Sequence, residues 1–141
     1  MGARHKGREL AVQFLYGRDF VTPDWEDAQR EFLTQTGRGA VASDFAAQLL
    51  AGLRRHESEV GAALVRLATD RWPVERMGQI DRAILKLGLY ELLFERTTPP
   101  KVVIDEAIDL AKAFCDADGY RFVNGILDAA MKEVLAESPR D

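Results

Sequence analysis

Residues 79–94 restrict the fold more than any other part of the chain. Their sequence, QIDRAILKLGLYELLF, places apolar side chains at helical spacing over most of the circumference of one helix. A helix that is apolar on nearly all sides is usually buried on nearly all sides, either inside a monomer or in a homodimer. We therefore predict a central helix here, and the choice between monomer and dimer stays open.

The other strong periodicities are helical as well, and no segment alternates with period two for long enough to predict a strand. The other predicted helices cover approximately residues 4–19, 23–36, 44–69, 101–114 and 119–136. Thr22 followed by Pro23 is a helix-start signal, and so is Ser43 followed by Asp44. Small and polar residues weaken the middle of residues 42–69, so that one helix or two would satisfy the pattern.

These elements predict an all-α fold, a single-domain bundle of about seven helices over residues 1–141. Residues 1–8 are predicted to be a basic arm, which we expect to be flexible. A chain of 141 residues can form one sizeable core, because a domain of about this size buries roughly 68–70% of its unfolded surface.

Cysteine usage and hydropathy indicate the compartment. The single cysteine, Cys115, cannot form an intramolecular disulfide, which fits a reducing environment. No apolar run reaches the roughly 18 residues of a membrane span, and the basic N-terminus lacks the apolar segment of a secretory signal. We expect a soluble, cytoplasmic protein without membrane contact.

Charge is distributed unevenly along the chain, whose formal net charge is −4. Residues 1–18 hold four basic side chains against one acidic side chain, whereas residues 19–141 hold 15 basic against 22 acidic. The local field decides where a phosphate backbone binds, so the basic start of this acidic chain is a candidate nucleic-acid contact. A solvated basic terminus without a ligand is the other interpretation.

The sequence offers no motif for catalysis or for a cofactor. It contains no Gly-rich phosphate loop, no HExxH and no CxxC, and neither His5 nor His56 stands in metal-ligand spacing with a carboxylate or thiol. Cys115 ends an apolar helix face, where a lone cysteine is usually a small core residue. We predict a non-enzymatic protein with no catalytic residue, no metal site and no cofactor.

The stretch DADGYRFVNGILDAA, residues 116–130, crowds two aromatic rings, a cation and an amide into one helical turn after the helix breaker Gly119. Proteins that bind single-stranded RNA stack bases on aromatic rings, hold phosphates with cations and read base edges with amides. In the other interpretation, Phe122 and Tyr16 pack where the first and last helices meet, and Arg121 is solvated. Together with the basic start, the candidate RNA-binding residues are Arg4, His5, Lys6, Arg8, Tyr16, Tyr120, Arg121, Phe122 and Asn124.

A second candidate surface lies in PVERMGQIDRAILKLGLYELL, where charges of both signs flank the predicted central helix. Mixed charges beside an apolar strip are typical of the rim of a protein–protein interface. They are also typical of a salt-bridged, solvated helix face. The candidate partner-binding residues are Glu75, Arg76, Gln79, Asp81 and Arg82.

Three motifs resemble a known family, namely LYEL at residues 89–92, PKVVIDEA at 100–107 and FVNG at 122–125. In this order, and together with the N-terminal RELAVQFLYGRDF, they resemble the NusB family of transcription antitermination factors. The weakest match falls between residues 21 and 72. A related module precedes ribosomal RNA cytosine methyltransferases, but 141 residues leave no room for that domain. The resemblance therefore favours the free-standing factor.

The resemblance implies an all-helical, non-enzymatic protein that pairs with a small-subunit ribosomal protein, NusE. The pair is expected to bind the boxA element of single-stranded nascent RNA and to help RNA polymerase resist termination, chiefly on ribosomal RNA operons. A helical protein-interaction module that does not bind RNA is the alternative.

The resemblance also implies roles for individual residues. The family's basic N-terminal segment falls on Arg4, Lys6 and Arg8, its first-helix tyrosine falls on Tyr16, and Asp118 joins the RNA-binding set as the acidic residue before the FVNG turn. The partner-binding face falls on Glu75, Gln79, Asp81, Arg82 and their neighbours. We expect the two ends of the chain to meet and to form one RNA-binding surface.

Two glycines have predicted consequences. Gly7 interrupts the basic run RHKGRE, where family members often have a denser run of arginines. This departure implies that RNA binding depends on the partner. Gly125 is expected to let the last helix approach a neighbour closely.

Overall fold

The computed structural model describes residues 2–16, 18, 24–69 and 73–137. Over these residues the fold is all-α, which confirms the predicted fold class. The seven α-helices are α1 (Ala3–Leu15), α2 (Trp25–Gln35), α3 (Ala40–Arg55), α4 (Glu57–Leu67), α5 (Gln79–Tyr90), α6 (Pro100–Phe114) and α7 (Ala117–Glu137). A 3-10 helix, Val74–Arg76, precedes α5, and a π-helical turn, Glu91–Glu95, follows it. The chain divides into two compact units, Met1–Glu57 and Ser58–Asp141.

In the first unit, α1 packs along α3. The contact is close because Gly7 is buried and lacks a side chain: a Cβ there would lie 2.8 Å from Phe45 Cδ2 and 2.9 Å from the carbonyl oxygen of Ala42. Farther along α1, the ring of Phe14 meets Trp25 edge-on, with 4.9 Å between ring centroids, and Phe32 at 5.5 Å. These aromatic contacts fix α2 on the end of α1.

In the second unit, α5 packs against α6 and α7. Eight of its twelve residues are buried, which confirms the predicted central helix. Gly88 allows the close approach of α7, since a Cβ at this position would lie 3.0 Å from Leu127 Cδ2. Gly125 was predicted to have this function, and that prediction is wrong: Gly125 is exposed, and a Cβ there would meet nothing within 4 Å.

Several helix ends differ from the predicted ones. The segment 42–69 holds two helices that meet at His56, and the first of them begins at Ala40 rather than at Ser43 or Asp44. Gly39, with φ of 96°, supplies the left-handed residue before it. The first helix was predicted to end at residue 19, and that prediction is wrong: α1 ends at Leu15, and Tyr16 after it has an extended backbone with ψ of 120°. The predicted cap at Thr22 and Pro23 lies outside the described residues.

The N-terminal basic segment is helical from Ala3 onward, so residues 3–8 form the start of α1. The backbone N–H of Lys6 donates to the carbonyl of Gly2 at 3.2 Å, which is the first helical hydrogen bond. Among the described helices, none combines the length and the apolar character that crossing a membrane requires.

Candidate nucleic-acid interface

The start of α1 holds four of the predicted RNA-binding residues. Arg4 and Lys6 are exposed and His5 is partly buried, whereas the side chain of Arg8 is buried, with 3% of the residue exposed. The guanidinium groups of Arg4 and Arg8 lie 4.9 and 5.1 Å from the centroid of the Phe45 ring. Such contacts are cation–π interactions, and they hold Arg8 within the first unit. Arg4 and Lys6 are therefore the cations that this segment presents for a phosphate.

The first turn of α1 has the electrostatics of an anion-binding helix start. None of its residues is acidic, and the first backbone N–H groups of a helix have no partner within the helix. The positive end of the helix dipole adds to the charges of Arg4 and Lys6. Near the other end of α1, Tyr16 is 56% exposed, so its ring is accessible for stacking.

The start of α7 is fixed by Asp116, a residue that sequence reasoning missed. Its carbonyl oxygen accepts a hydrogen bond from the N–H of Tyr120 at 2.9 Å, and its Oδ1 accepts a hydrogen bond from the N–H of Gly119 at 2.8 Å. Asp116 is thus the N-cap of α7, and the helix begins at Ala117 rather than at Gly119. The sequence contained a signal for this N-cap, because aspartate is among the residues most favoured at the N-cap position.

Asp118 and Arg121 form an exposed ion pair on the first turns of α7. Arg121 Nη1 lies 3.2 Å from Asp118 Oδ1, and the arginine side chain is 75% exposed. An exposed pair of this kind is weak, so a phosphate could replace the carboxylate as the partner of the guanidinium. Asp118 thereby orients the Arg121 side chain. This orientation is a physical reason for including Asp118 among the predicted RNA-binding residues.

The remaining residues of this turn divide between two faces of α7. Asn124 is exposed and Tyr120 is partly buried, and their spacing of four residues places them on the same face. Phe122 is only 6% exposed and lies on the buried face with Val123 and Ile126. Its ring does not offer a face for stacking in this conformation, so the structure supports the interpretation of Phe122 as a packing residue.

The predicted partner-binding segment leads from the 3-10 helix into α5. Glu75, Arg76 and Gln79 are exposed and Arg82 is partly buried. Asp81 differs from them, because it is buried, with 8% of the residue exposed. Its Oδ2 accepts a hydrogen bond from the N–H of Gly78 at 3.3 Å. Asp81 therefore has partners within its own unit, and its contact with a second protein stays a prediction.

Cys115 lies beside Asp81 in the second unit. Its partial burial, followed by a hydrogen bond to Asp81 and the charges of Asp81 and Asp116, raises the pKa of the thiol from 9.0 to about 12. A thiol with such a pKa stays protonated at neutral pH, which is the opposite of an activated nucleophile.

The predicted RNA-binding residues fall into two segments, the start of α1 with Tyr16 in the first unit and the start of α7 in the second. The first segment presents two exposed cations, Arg4 and Lys6, and the exposed ring of Tyr16. The second presents one exposed cation, Arg121, and the partly buried ring of Tyr120. That the two segments form one surface stays a prediction. Sequence reasoning missed Phe45 and Asp116, which hold the two segments in place.

The fold and these exposed segments define a small, all-helical binding protein. The profile of the NusB family matches residues 5–132, and the chain belongs to the NusB family. This result confirms the family resemblance found in the sequence.

The chain is similar to relatives over nearly its whole length. It is 41% identical over 129 residues to the transcription antitermination protein NusB of Geobacter sulfurreducens, with 91% of this chain and 93% of that protein covered. Its structure resembles NusB of T. maritima, with a TM-score of 0.80, 34% identity and coverage of 92% and 91% of the two chains. It also resembles a chain from a crystal structure of the antitermination factors NusB and NusE in complex with dsRNA, with a TM-score of 0.81, 26% identity and coverage of 93% and 97%.

Proposed function

We propose that this protein is a transcription antitermination factor that binds the boxA element of nascent ribosomal RNA together with the ribosomal protein NusE. The observation that carries the proposal is the structural similarity to a chain solved with NusE and RNA, over 93% of the present chain. The exposed cations Arg4, Lys6 and Arg121 supply the phosphate contacts that such a function needs.

In this proposal the protein is an adaptor rather than an enzyme. It acts in the cytoplasm as one domain without a cofactor, and it links the RNA and the ribosomal protein to RNA polymerase. Glu75 and Arg76 in the 3-10 helix and Gln79 and Arg82 in the first turn of α5 form the proposed contact with NusE, since the first three are exposed and Arg82 is partly exposed. A homodimer that covers the RNA-binding residues is an alternative state of the free protein.

Binding measurements test the proposal directly. Single-stranded boxA RNA, a scrambled RNA of equal composition and a duplex are titrated with the protein, with and without NusE. We expect NusE to tighten binding to boxA more than binding to the scrambled strand. Equal affinities for both strands under all conditions would refute boxA recognition, and NusE binding without any RNA binding would favour the protein-interaction module. Sedimentation with and without RNA reports on the homodimer.

The salt dependence of RNA binding tests whether the cations at the start of α1 contact RNA phosphates. In the double variant Arg4→Glu/Lys6→Glu we expect weaker binding and a log–log salt slope smaller by about 0.7 for each phosphate that the variant no longer neutralises. Arg8 is left unchanged because its guanidinium is buried over Phe45. The matched control is Lys101→Glu, an exposed lysine on α6 that should leave the slope unchanged. If the double variant has the same salt slope as the wild type, the start of α1 does not contact the RNA phosphates.

A further inference from the structure

The carboxylate of Asp81 lies between the starts of two helices in the second unit. Its Oδ2 accepts a hydrogen bond from the N–H of Gly78 and so caps the start of α5. On its other side is Gly119 in the first turn of α7: a Cβ added there would overlap Asp81 Oδ1 and lie 2.8 Å from Asp81 Cγ. Gly119 is thus a glycine because the Asp81 side chain occupies the space that a side chain at this position would need.

Gly119 is held from a second direction as well. Its N–H donates to Asp116 Oδ1 at 2.8 Å, so the first turn of α7 is fixed between the carboxylates of Asp116 and Asp81. Cys115 forms a hydrogen bond to Asp81 and completes the cluster. A buried carboxylate with this many contacts cannot move without displacing its neighbours, because packed interiors lack free volume.

The cluster joins two segments of different predicted function. Gln79 and Arg82, which are predicted to bind the partner, flank Asp81 in the first turn of α5. Tyr120 and Arg121, which are predicted to bind RNA, directly follow Gly119 in α7. The contact between Asp81 and Gly119 is therefore a direct physical link between the start of α5 and the turn that is predicted to bind RNA.

We propose that Asp81 is a positioning residue that couples occupation of the partner-binding segment to RNA binding at the start of α7. The inference rests on the proposed function and extends it, since it assigns Asp81 an internal role rather than a direct contact with NusE. Coupling between two binding sites is reciprocal, so RNA must tighten NusE binding by the same factor by which NusE tightens RNA binding.

The test uses the full chain, boxA RNA and NusE. The coupling factor is the ratio of the RNA dissociation constants without and with NusE. In Gly119→Ala, whose Cβ would displace the Asp81 carboxylate, we expect the coupling factor to fall at least about fivefold. In Asp81→Asn we expect a fall as well, because an amide offers one acceptor oxygen where the carboxylate offers two. The matched control is Gly61→Ala in α4, where a Cβ would meet nothing within 4 Å, and it should keep the wild-type factor.

A second measurement reports on the contact itself. Cys115 is the single cysteine, so its alkylation rate follows its thiolate fraction. We expect faster alkylation at pH 8 in Asp81→Asn than in the wild type, because removal of the Asp81 charge lowers the pKa of the thiol. If Gly119→Ala fails to fold, Asp81→Asn, which keeps the volume of the side chain, carries the test alone.

The outcomes separate the inference from the proposed function. If the wild type binds no RNA under any condition, the proposed function fails and the coupling fails with it. If the wild type binds boxA but its affinity does not depend on NusE, the coupling is refuted while RNA binding stands. Wild-type coupling in folded Gly119→Ala and Asp81→Asn would overturn the role of Asp81. Loss of coupling in both variants, together with an unchanged factor in Gly61→Ala, would establish it.

Discussion

Replacing Gly7 by alanine is expected to lower the free energy of unfolding by about 1–3 kcal/mol. The added Cβ would lie 2.8 Å from Phe45 Cδ2 and 2.9 Å from the carbonyl oxygen of Ala42. A backbone carbonyl within a helix cannot move aside cheaply, so α1 and α3 must separate. The better helix propensity of alanine offsets up to about 1 kcal/mol of this loss, which leaves a net destabilisation.

Replacing Gly7 by arginine is expected to have a larger effect, of more than about 3 kcal/mol, because a long side chain cannot fit between α1 and α3. This substitution would restore the denser run of arginines that the family resemblance leads one to expect. We nevertheless expect it to impair folding rather than to strengthen RNA binding.

Urea unfolding of the full chain measures both effects, with Gly61→Ala as the control. A Cβ at Gly61 meets open space, so this variant should be at least as stable as the wild type. A Gly7→Ala protein as stable as Gly61→Ala would show that the contact of α1 with α3 is looser than the structure indicates.

Hydrophobic periodicity predicted where the helices lie, because the spacing of apolar residues is written along the chain itself. It predicted the central α5 and the separate α6 and α7. Helix ends were less predictable, since they depend on single capping residues. Asp116 caps α7 in place of the expected breaker Gly119, and His56 divides α3 from α4.

Close contacts between helices could not be predicted, because they depend on which glycine faces which neighbour. Gly125 was expected to lie against another helix, yet it faces open space, while Gly7 and Gly119 lie against Phe45 and Asp81. The same limit explains why a charged residue such as Asp81 was assigned to an exposed surface. Its carboxylate occupies the space that a side chain at Gly119, 38 positions away along the chain, would need.

At the start of α7, the sequence indicated which residue types share one helical turn but not which of them face the solvent. A helix turns by about 100° for each residue, so neighbours in one turn can lie on opposite faces. Phe122 belongs by spacing to the apolar stripe of Val123, Ile126 and Leu127, and this signal was available in the sequence. Tyr120 and Asn124 lie off that stripe and remain accessible.

Phe122→Ala is expected to lower the free energy of unfolding by about 3–5 kcal/mol, because it removes a large buried side chain. Tyr120→Ala is the comparison, since its ring is only partly buried and is the better placed of the two for stacking. We expect Tyr120→Ala to weaken boxA binding by about 1–3 kcal/mol if a base stacks on the ring. Its stability should fall less than that of Phe122→Ala.

Unfolding curves and RNA affinities of both variants separate packing from stacking, provided that affinity is measured where each variant is folded by circular dichroism. Folded Phe122→Ala protein should retain most of the wild-type RNA affinity, because the Phe122 ring lies on the buried face of α7 and offers no exposed face for stacking. The assignment would be reversed by a Phe122→Ala protein of wild-type stability that binds boxA weakly. In that case the ring must leave the core to stack on a base, and the start of α7 must open when RNA binds.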